Sequence, residues 1–174
     1  MSAGVIPDTP EDLGPEPEER PDLILVVDDD QDIASFVEFN LKMQGYDVIR
    51  AKDGEEALEM MDTQRPDLAV IDWMMPRVDG LELCRRIRST PALQDMHVVM
   101  ITVKQDRESS LLAFECGADD FILKPFDFEE LRARLCVAGR TVERQARLAA
   151  RINELEASLA SRDVATCDAG CARA

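Results

Sequence analysis

The chain predicts a doubly wound α/β domain, in which a parallel sheet carries helices on both faces. Three observations point there. Short apolar runs of strand length alternate five times with segments of helical periodicity. The run over residues 68–71 is apolar throughout, as suits a strand buried on both faces of a parallel sheet. The same run stops abruptly at Asp72, followed by a turn punctuated by Pro76 and Gly80, and open α/β sheets gather their ligands at the carboxyl ends of strands. An aspartate there can equally cap the next helix or turn.

The elements follow in order. Leu23–Val27 reads as a buried strand ending in Asp28-Asp29-Asp30. Ile33, Phe36, Val37 and Leu41 recur at helical spacing, with Gly45 as the stop. Asp47–Ala51 mixes polar and apolar residues and reads as a strand nearer an edge. Asp53-Gly-Glu-Glu56 opens a helix as a capping box with Asp in place of Ser or Thr. That helix runs through Ala57, Leu58 and Met61 to Arg65-Pro66. After the strand ending at Asp72 come a helix over 81–88, a strand His97–Thr102 and a helix over 107–116 closed by Gly117. Residues 119–123 form the fifth strand, broken by Lys124-Pro125, and helix resumes at Phe128.

At 174 residues the chain holds one domain plus extensions, or two very small domains. A hydrophobic content of 45% supports a real core. The net charge of −16 and pI near 4.4 argue against a nucleic-acid surface, which needs clustered Lys and Arg. No apolar run approaches the roughly 18 residues of a membrane span, and no signal-peptide pattern opens the chain. Five cysteines, an odd number without a disulfide framework or export signal, suggest free thiols in a reducing cytoplasm. Cys167 and Cys171 could form half a metal site but lack partner ligands. His97 is the only histidine, which excludes His clusters and a Ser-His-Asp triad. Residues 1–21 are rich in Pro, Glu and Asp and are expected to be a disordered acidic tail.

The strand ends bring the chemistry together. The first ends in Asp28 and Asp29, the third in Asp72, the fourth in Thr102 and the fifth in Lys124. A strand order of 2-1-3-4-5 sets the first and third strands side by side and converges the three carboxylates. Three oxygen donors without His or Cys suit a hard cation, and few ligands with room for water suit Mg²⁺ over Ca²⁺. Crowded like charges supply the motive for binding it. Lys124 adds a compact positive charge and Thr102 a hydroxyl donor, so the five suit a phosphoryl group beside a metal. Asp72 can then be the nucleophile, because a carboxylate needs no deprotonating base at neutral pH.

The segments Leu-Val-Val-Asp28-Asp29-Asp, Val-Ile-Asp72-Trp-Met-Met-Pro-Arg-Val-Asp-Gly, Val-Met-Ile-Thr102 and Gly117-Ala-Asp-Asp-Phe121-Ile-Leu-Lys124-Pro125-Phe resemble a bacterial response-regulator receiver domain, a flavodoxin-like five-stranded fold. The resemblance covers residues 23–138. It implies that Asp72 accepts a phosphoryl group from a histidine kinase or phosphotransfer protein, and that Asp28, Asp29, Asp72 and the backbone carbonyl of Met74 hold Mg²⁺. It further implies that Thr102 and Lys124 bind phosphoryl oxygens, that Phe121 moves with Thr102 as a switch, and that the Lys124-Pro125 peptide is cis.

Departures from the family pattern stand out. Val103 occupies a position where the family usually has a small residue, so altered phosphorylation or hydrolysis rates are expected. Trp73 is larger than the usual aliphatic neighbour of the phosphoacceptor and offers a fluorescence reporter. Asp119, Asp120, Glu130 and Arg134 match receivers that dimerise through the fourth helix, fifth strand and fifth helix. Ser110 and Thr141 stand where those receivers resemble one another in having cations.

The expected organisation is an acidic tail over 1–21, a receiver domain over 22–138, a helical extension over 139–162 and a disordered tail over 163–174. Leu148, Ile152, Leu155 and Leu159 recur at 4-3-4 spacing, a short coiled-coil seam; a continuous helix from Phe128 to Ala160 would reach roughly 50 Å. A solvated single helix, or one folded back on the domain, is the alternative. The extension resembles the signalling helix that joins receivers to output enzymes, but no output motif follows in the sequence. The expected protein is a cytoplasmic, non-enzymatic phosphoacceptor. It signals through a downstream protein partner or a homodimer over residues 140–160. Two competing readings are a phosphorylation-independent scaffold acting through its coiled coil, and a phosphohydrolase with an aspartyl-phosphate intermediate. The latter usually wants a second Asp where this chain has Met74.

Overall fold

In the computed structural model the five apolar runs form one parallel sheet in the order β2-β1-β3-β4-β5. Residues 23–103 and 107–170 are described, apart from the side chains of 107–110 and 160–170. The acidic tail expected over 1–21, and the side chains of Ser110, Cys167 and Cys171, lie outside the described residues.

The strands are β1 (Leu23–Val27), β2 (Asp47–Ala51), β3 (Leu68–Asp72), β4 (His97–Thr102) and β5 (Asp120–Leu123). The helices are α1 (Gln31–Met43), α2 (Gly54–Gln64), α3 (Gly80–Ser89), α4 (Arg107–Glu115) and α5 (Phe128–Gly170). Side chains alternate between faces along a strand, so each central strand feeds two cores. Leu25, Val27, Ala69, Ile71, Val98 and Met100 meet α2, α3 and α4 on one face. Ile24, Val26, Leu68, Val70, Val99 and Ile101 meet α1 and α5 on the other, through Val37, Leu41, Leu131 and Leu135. Fully burying each such aliphatic side chain is worth about 1.5–3 kcal/mol. The edge position expected for residues 47–51 holds, since among the described residues β2 pairs only with β1.

Aspartates start most of the helices at the carboxyl end of the sheet. Asp30 accepts from the Asp32 and Ile33 amides, and Asp79 accepts from the Glu82 amide at 2.8 Å. Asp127 accepts from the Glu130 amide at 2.7 Å. Each satisfies amide donors that a helix start leaves unpaired. At α2, Asp53 caps the Glu55 and Glu56 amides as expected. The reciprocal bond of the capping box is displaced by one residue, because Glu56 accepts from the Lys52 amide instead. Gly45, at φ 86°, ends α1 with the Gly45 amide donating to the Lys42 carbonyl and the Tyr46 amide to that of Leu41.

Boundaries differ from expectation by a residue at several ends, and α5 runs on to Gly170, through residues 163–170 that were expected to be disordered, because no Pro or Gly interrupts 140–169. The largest local reason sits at β5, which begins at Asp120 rather than 119. There the Asp119 carboxylate is drawn aside by the Val98 amide at 2.7 Å and by Arg88 at 2.5 Å. Arg88 also donates to the carbonyls of Gly117, Gln94 and Met96. One guanidinium therefore ties α3 to the loop that leads into β4 and to the loop that leads into β5.

Candidate functional site

The register of the sheet builds the site. Val27 lies opposite Ile71 in the β1–β3 pairing and Asp72 opposite Ile101 in the β3–β4 pairing, so the residues that follow β1 arrive beside the end of β3. Past the ends of β4 and β5, the Lys124 amide donates to the Thr102 carbonyl at 2.7 Å. This bond holds the backbones of those two residues together. Gly80 makes room at the floor: a Cβ there would run into the backbone carbonyl oxygen of Asp72, so α3 starts hard against the end of β3 only because residue 80 lacks a side chain.

Asp28, Asp29 and Asp72 each offer a carboxylate oxygen within 4.8 Å of the other two. Asp28 and Asp72 are buried, Asp29 exposed. Asp30, the last of the acidic run, is spent on capping α1, and its amide donates to Asp28 Oδ1 at 2.9 Å. Lys124 Nζ lies 3.0 Å from both Asp28 Oδ2 and Asp72 Oδ1. Thr102 is buried at the adjoining strand end. Four of the residues singled out for metal and phosphoryl chemistry thus meet in one pocket, with Thr102 alongside.

The electrostatics are unbalanced. Burial pushes the Asp72 carboxyl above its ordinary value; Lys124 opposes this, and Asp28 and Asp29 reinforce it. Burial likewise raises Asp28, against the Asp30 amide and Lys124. Burial works against the Lys124 ammonium too, but its bonds to Asp72 and Asp28 outweigh that and raise it. Among the described residues one ammonium faces three carboxylates. An oxygen-only donor set with surplus negative charge and one solvent-facing ligand fits a hard divalent cation.

Phe121 is half-buried on β5, its ring edge-on to Phe114 of α4 at 5.4 Å between centroids. Met74 is exposed in the loop after β3 and lines a cleft of about 540 Å³ with Asp29, Trp73, Pro76 and Asp79. Trp73, next to Asp72 in the chain, is buried in the core shared with α2, α3 and α4. The Lys124-Pro125 peptide is cis, as expected.

Three features escaped the sequence reading. Arg77, in a left-handed conformation at φ 67°, pairs with the buried carboxylate of Asp53 and with Glu55, tying the loop after β3 to the start of α2. Arg88 is the clamp described above, and its place at the Leu81-Cys84-Arg88 spacing of the inward stripe was the available signal. An open, largely apolar recess of about 550 Å³ adjoins Lys124, lined by Ile33, Phe36, Val103, Pro125 and Phe126.

Comparison with known proteins agrees with this geometry. The family described as "Response regulator receiver domain" matches residues 24–136. The alkaline phosphatase synthesis transcriptional regulatory protein PhoP of Bacillus subtilis is 40% identical over 133 residues. That match covers 76% of this chain but only 53% of PhoP, so the chain spans about half the length of this relative. The receiver domain of a Francisella response regulator superposes with a TM-score of 0.65 at 34% identity, over 70% of this chain and 98% of that one. The chemotaxis protein CheY4 of Vibrio cholerae does so with 0.63 at 31% identity, over 65% and 94%. The chain belongs to the response regulator receiver domain family.

Proposed function

We propose that Asp72 is the phosphoacceptor of a two-component signalling pathway. A phosphohistidine on a histidine kinase or phosphotransfer protein is the donor. One Asp72 carboxylate oxygen attacks phosphorus, the phosphorus–nitrogen bond breaks, and the imidazole keeps the electron pair and takes up a proton. The product is an acyl phosphate. Asp28, Asp29, Asp72 and the Met74 carbonyl are the residues suited to hold Mg²⁺. When bound, that ion supplies neutralisation of the charge on the phosphoryl oxygens. Lys124 is suited to leave its carboxylate partners for a phosphoryl oxygen, Thr102 to donate its hydroxyl to another, and Phe121 to respond to the movement of Thr102.

The observation that carries this reading is the Lys124 ammonium poised 3.0 Å from both Asp28 and Asp72 within a cluster of three carboxylates. A scaffold indifferent to phosphorylation would have no use for two buried, unevenly compensated carboxylates, which are costly to keep. The apolar recess beside Lys124 supports approach of a protein partner on that side. Downstream, the reading is signalling by protein contacts, including a homodimer through residues 140–160, in the cytoplasm. Among the described residues no helix is long and apolar enough to cross a membrane.

The test is incubation of the purified chain with Mg²⁺ and a small-molecule phosphodonor such as acetyl phosphate, read by intact mass and peptide mapping. One phosphoryl group is expected on Asp72, lost in Asp72→Asn and when Mg²⁺ is chelated. Absence of label on the wild-type chain would sink the proposal.

A further inference from the structure

We infer that α5 docks a second copy of this chain as a parallel, in-register, two-stranded coiled coil, with Arg151 facing Glu156 of the partner subunit. The inference deepens the homodimer reading above by giving it an orientation and a charge pair, and it does not require phosphorylation of Asp72.

The helix carries two stripes. The first, Leu131, Leu135 and Ala138, is buried in the receiver core. Val142, Gln145, Ala146 and Ala149 continue it, lining a groove against Pro66, Leu93 and other residues of the base of the domain. The second stripe is Leu148, Ile152, Leu155 and Leu159, exposed at 59%, 55%, 51% and 60%. At 100° per residue the two stripes are centred about 100° apart around the helix. The domain that holds the first stripe therefore cannot also cover the second. Four large aliphatic residues in one line on a helix anchored by its other side call for a partner.

The seam itself says which partner. Its 4-3-4 spacing assigns Ile152 and Leu159 to a positions and Leu148 and Leu155 to d positions. Ile152 at a with Leu148 and Leu155 at d favours two strands, and Leu159 at the other a position is neutral on this point. The flanking positions then decide orientation. Arg151 falls at g and Glu156 at e, five residues apart, which is the pair that meets across a parallel dimer. In an antiparallel pair g faces g and e faces e. Arg151 would then meet Arg or Ser, and Glu156 would meet Glu or a small apolar residue. Only the parallel arrangement gives attraction, twice by symmetry. Within a single helix Arg151 is exposed and pairs with Glu154 at 2.8 Å, a contact it can exchange for the partner's Glu156. The seam spans only about two heptads, so association is weak and depends on concentration.

Sedimentation of the full chain under reducing conditions, at concentrations up to about 1 mM, tests this. The expected mass rises toward twice the 19.5 kDa of one chain, in the wild type and in Asp72→Asn alike. Ile152→Asp is expected to raise the dissociation constant about a hundredfold, with the receiver's melting midpoint unchanged. Arg151→Glu is expected to weaken association about tenfold, and Arg151→Glu with Glu156→Arg in the same chain to restore it. A mass of 19.5 kDa throughout would overturn the inference. So would a dimer indifferent to Ile152→Asp, or a double variant no better than the single one. Failure of Asp72 to label would leave these masses unaffected, so the two proposals fail separately.

Discussion

Replacing Lys124 with Met removes the ammonium that lies 3.0 Å from both Asp28 and Asp72 while keeping an unbranched apolar stem of the same length as the one that carries it. The side chains of the two carboxylates are 3% and 6% exposed, that of the lysine 15%. Stripping one partner from a buried ion pair costs about 3–5 kcal/mol. Water reaches the lysine side of this pocket, which puts the loss at the low end, about 3 kcal/mol. At about 3 °C per kcal/mol for a chain of this size, the melting midpoint in chelator falls by roughly 10 °C. A divalent cation restores positive charge to the same carboxylates. Ligand at about 100 times its dissociation constant adds about 2.7 kcal/mol, and the variant is expected to gain more from Mg²⁺ than the wild type does. The pH dependence has a definite sign. The folded state raises the Lys124 pKa, so its contribution is full below the ordinary lysine value of about 10.4 and is lost as pH rises through the folded pKa. The gap between wild type and variant is therefore flat near neutrality and narrows in strong alkali. Calorimetry with and without Mg²⁺ checks both points. A variant midpoint in chelator within about 2 °C of the wild type, or equal gains from Mg²⁺, would refute the reasoning.

Arg88→Ala is expected to cost about 3 kcal/mol by urea denaturation, because three backbone carbonyls and the Asp119 carboxylate lose their shared donor. Val103→Ala, opening the exposed wall beside Lys124, is expected to shorten the lifetime of phosphorylated Asp72 several-fold; phosphate release at an unchanged rate would remove Val103 from the kinetics. Burial lowers the His97 pKa against the pull of Asp119, so the unfolded chain takes up a proton before the folded one does. That contribution is intact above the unfolded His value of about 6.5 and is lost as pH falls through the folded pKa. His97→Gln should flatten the stability curve in that acid window, measured as the difference between the two proteins' denaturation midpoints. The Cys84 thiol is buried and pushed up to about 11, so peptide mapping after maleimide treatment at neutral pH should find it unmodified in the folded protein.

Much of the fold was legible because its signals are local. The apolar runs 24–27 and 68–71 and the stops at Asp72 and Gly45 each announce a boundary within a few residues, and the bounds of β1, β2, β3 and β4 match the expectation. The convergence of Asp28, Asp29, Asp72 and Lys124 was legible for a different reason: once the strand order is chosen, residues at strand ends have only one place to go. What stayed hidden depends on partners far apart in the chain. Arg88 looked like one more charge on a helix rich in arginine, since its acceptors are main-chain carbonyls of loops whose positions no local pattern reveals. The Asp53–Arg77 pair joins residues 24 apart through a left-handed turn that nothing in Pro76-Arg77-Val78 advertises. Asp119, read as part of a subunit face, is bonded within its own chain to Arg88 and to the Val98 amide.

The single long helix has a mechanical consequence. α5 starts four residues after Lys124 and is gripped at its near end by Leu131, Leu135 and Ala138, while Leu159 stands about 32 Å beyond Ala138 along the axis. A stiff rod held that way is a lever with its short arm at the acidic pocket. Each degree of tilt at the receiver end sweeps the far end through roughly 0.55 Å. A small rearrangement in the pocket that tilted the helix would be amplified along this arm into a larger displacement at the exposed seam.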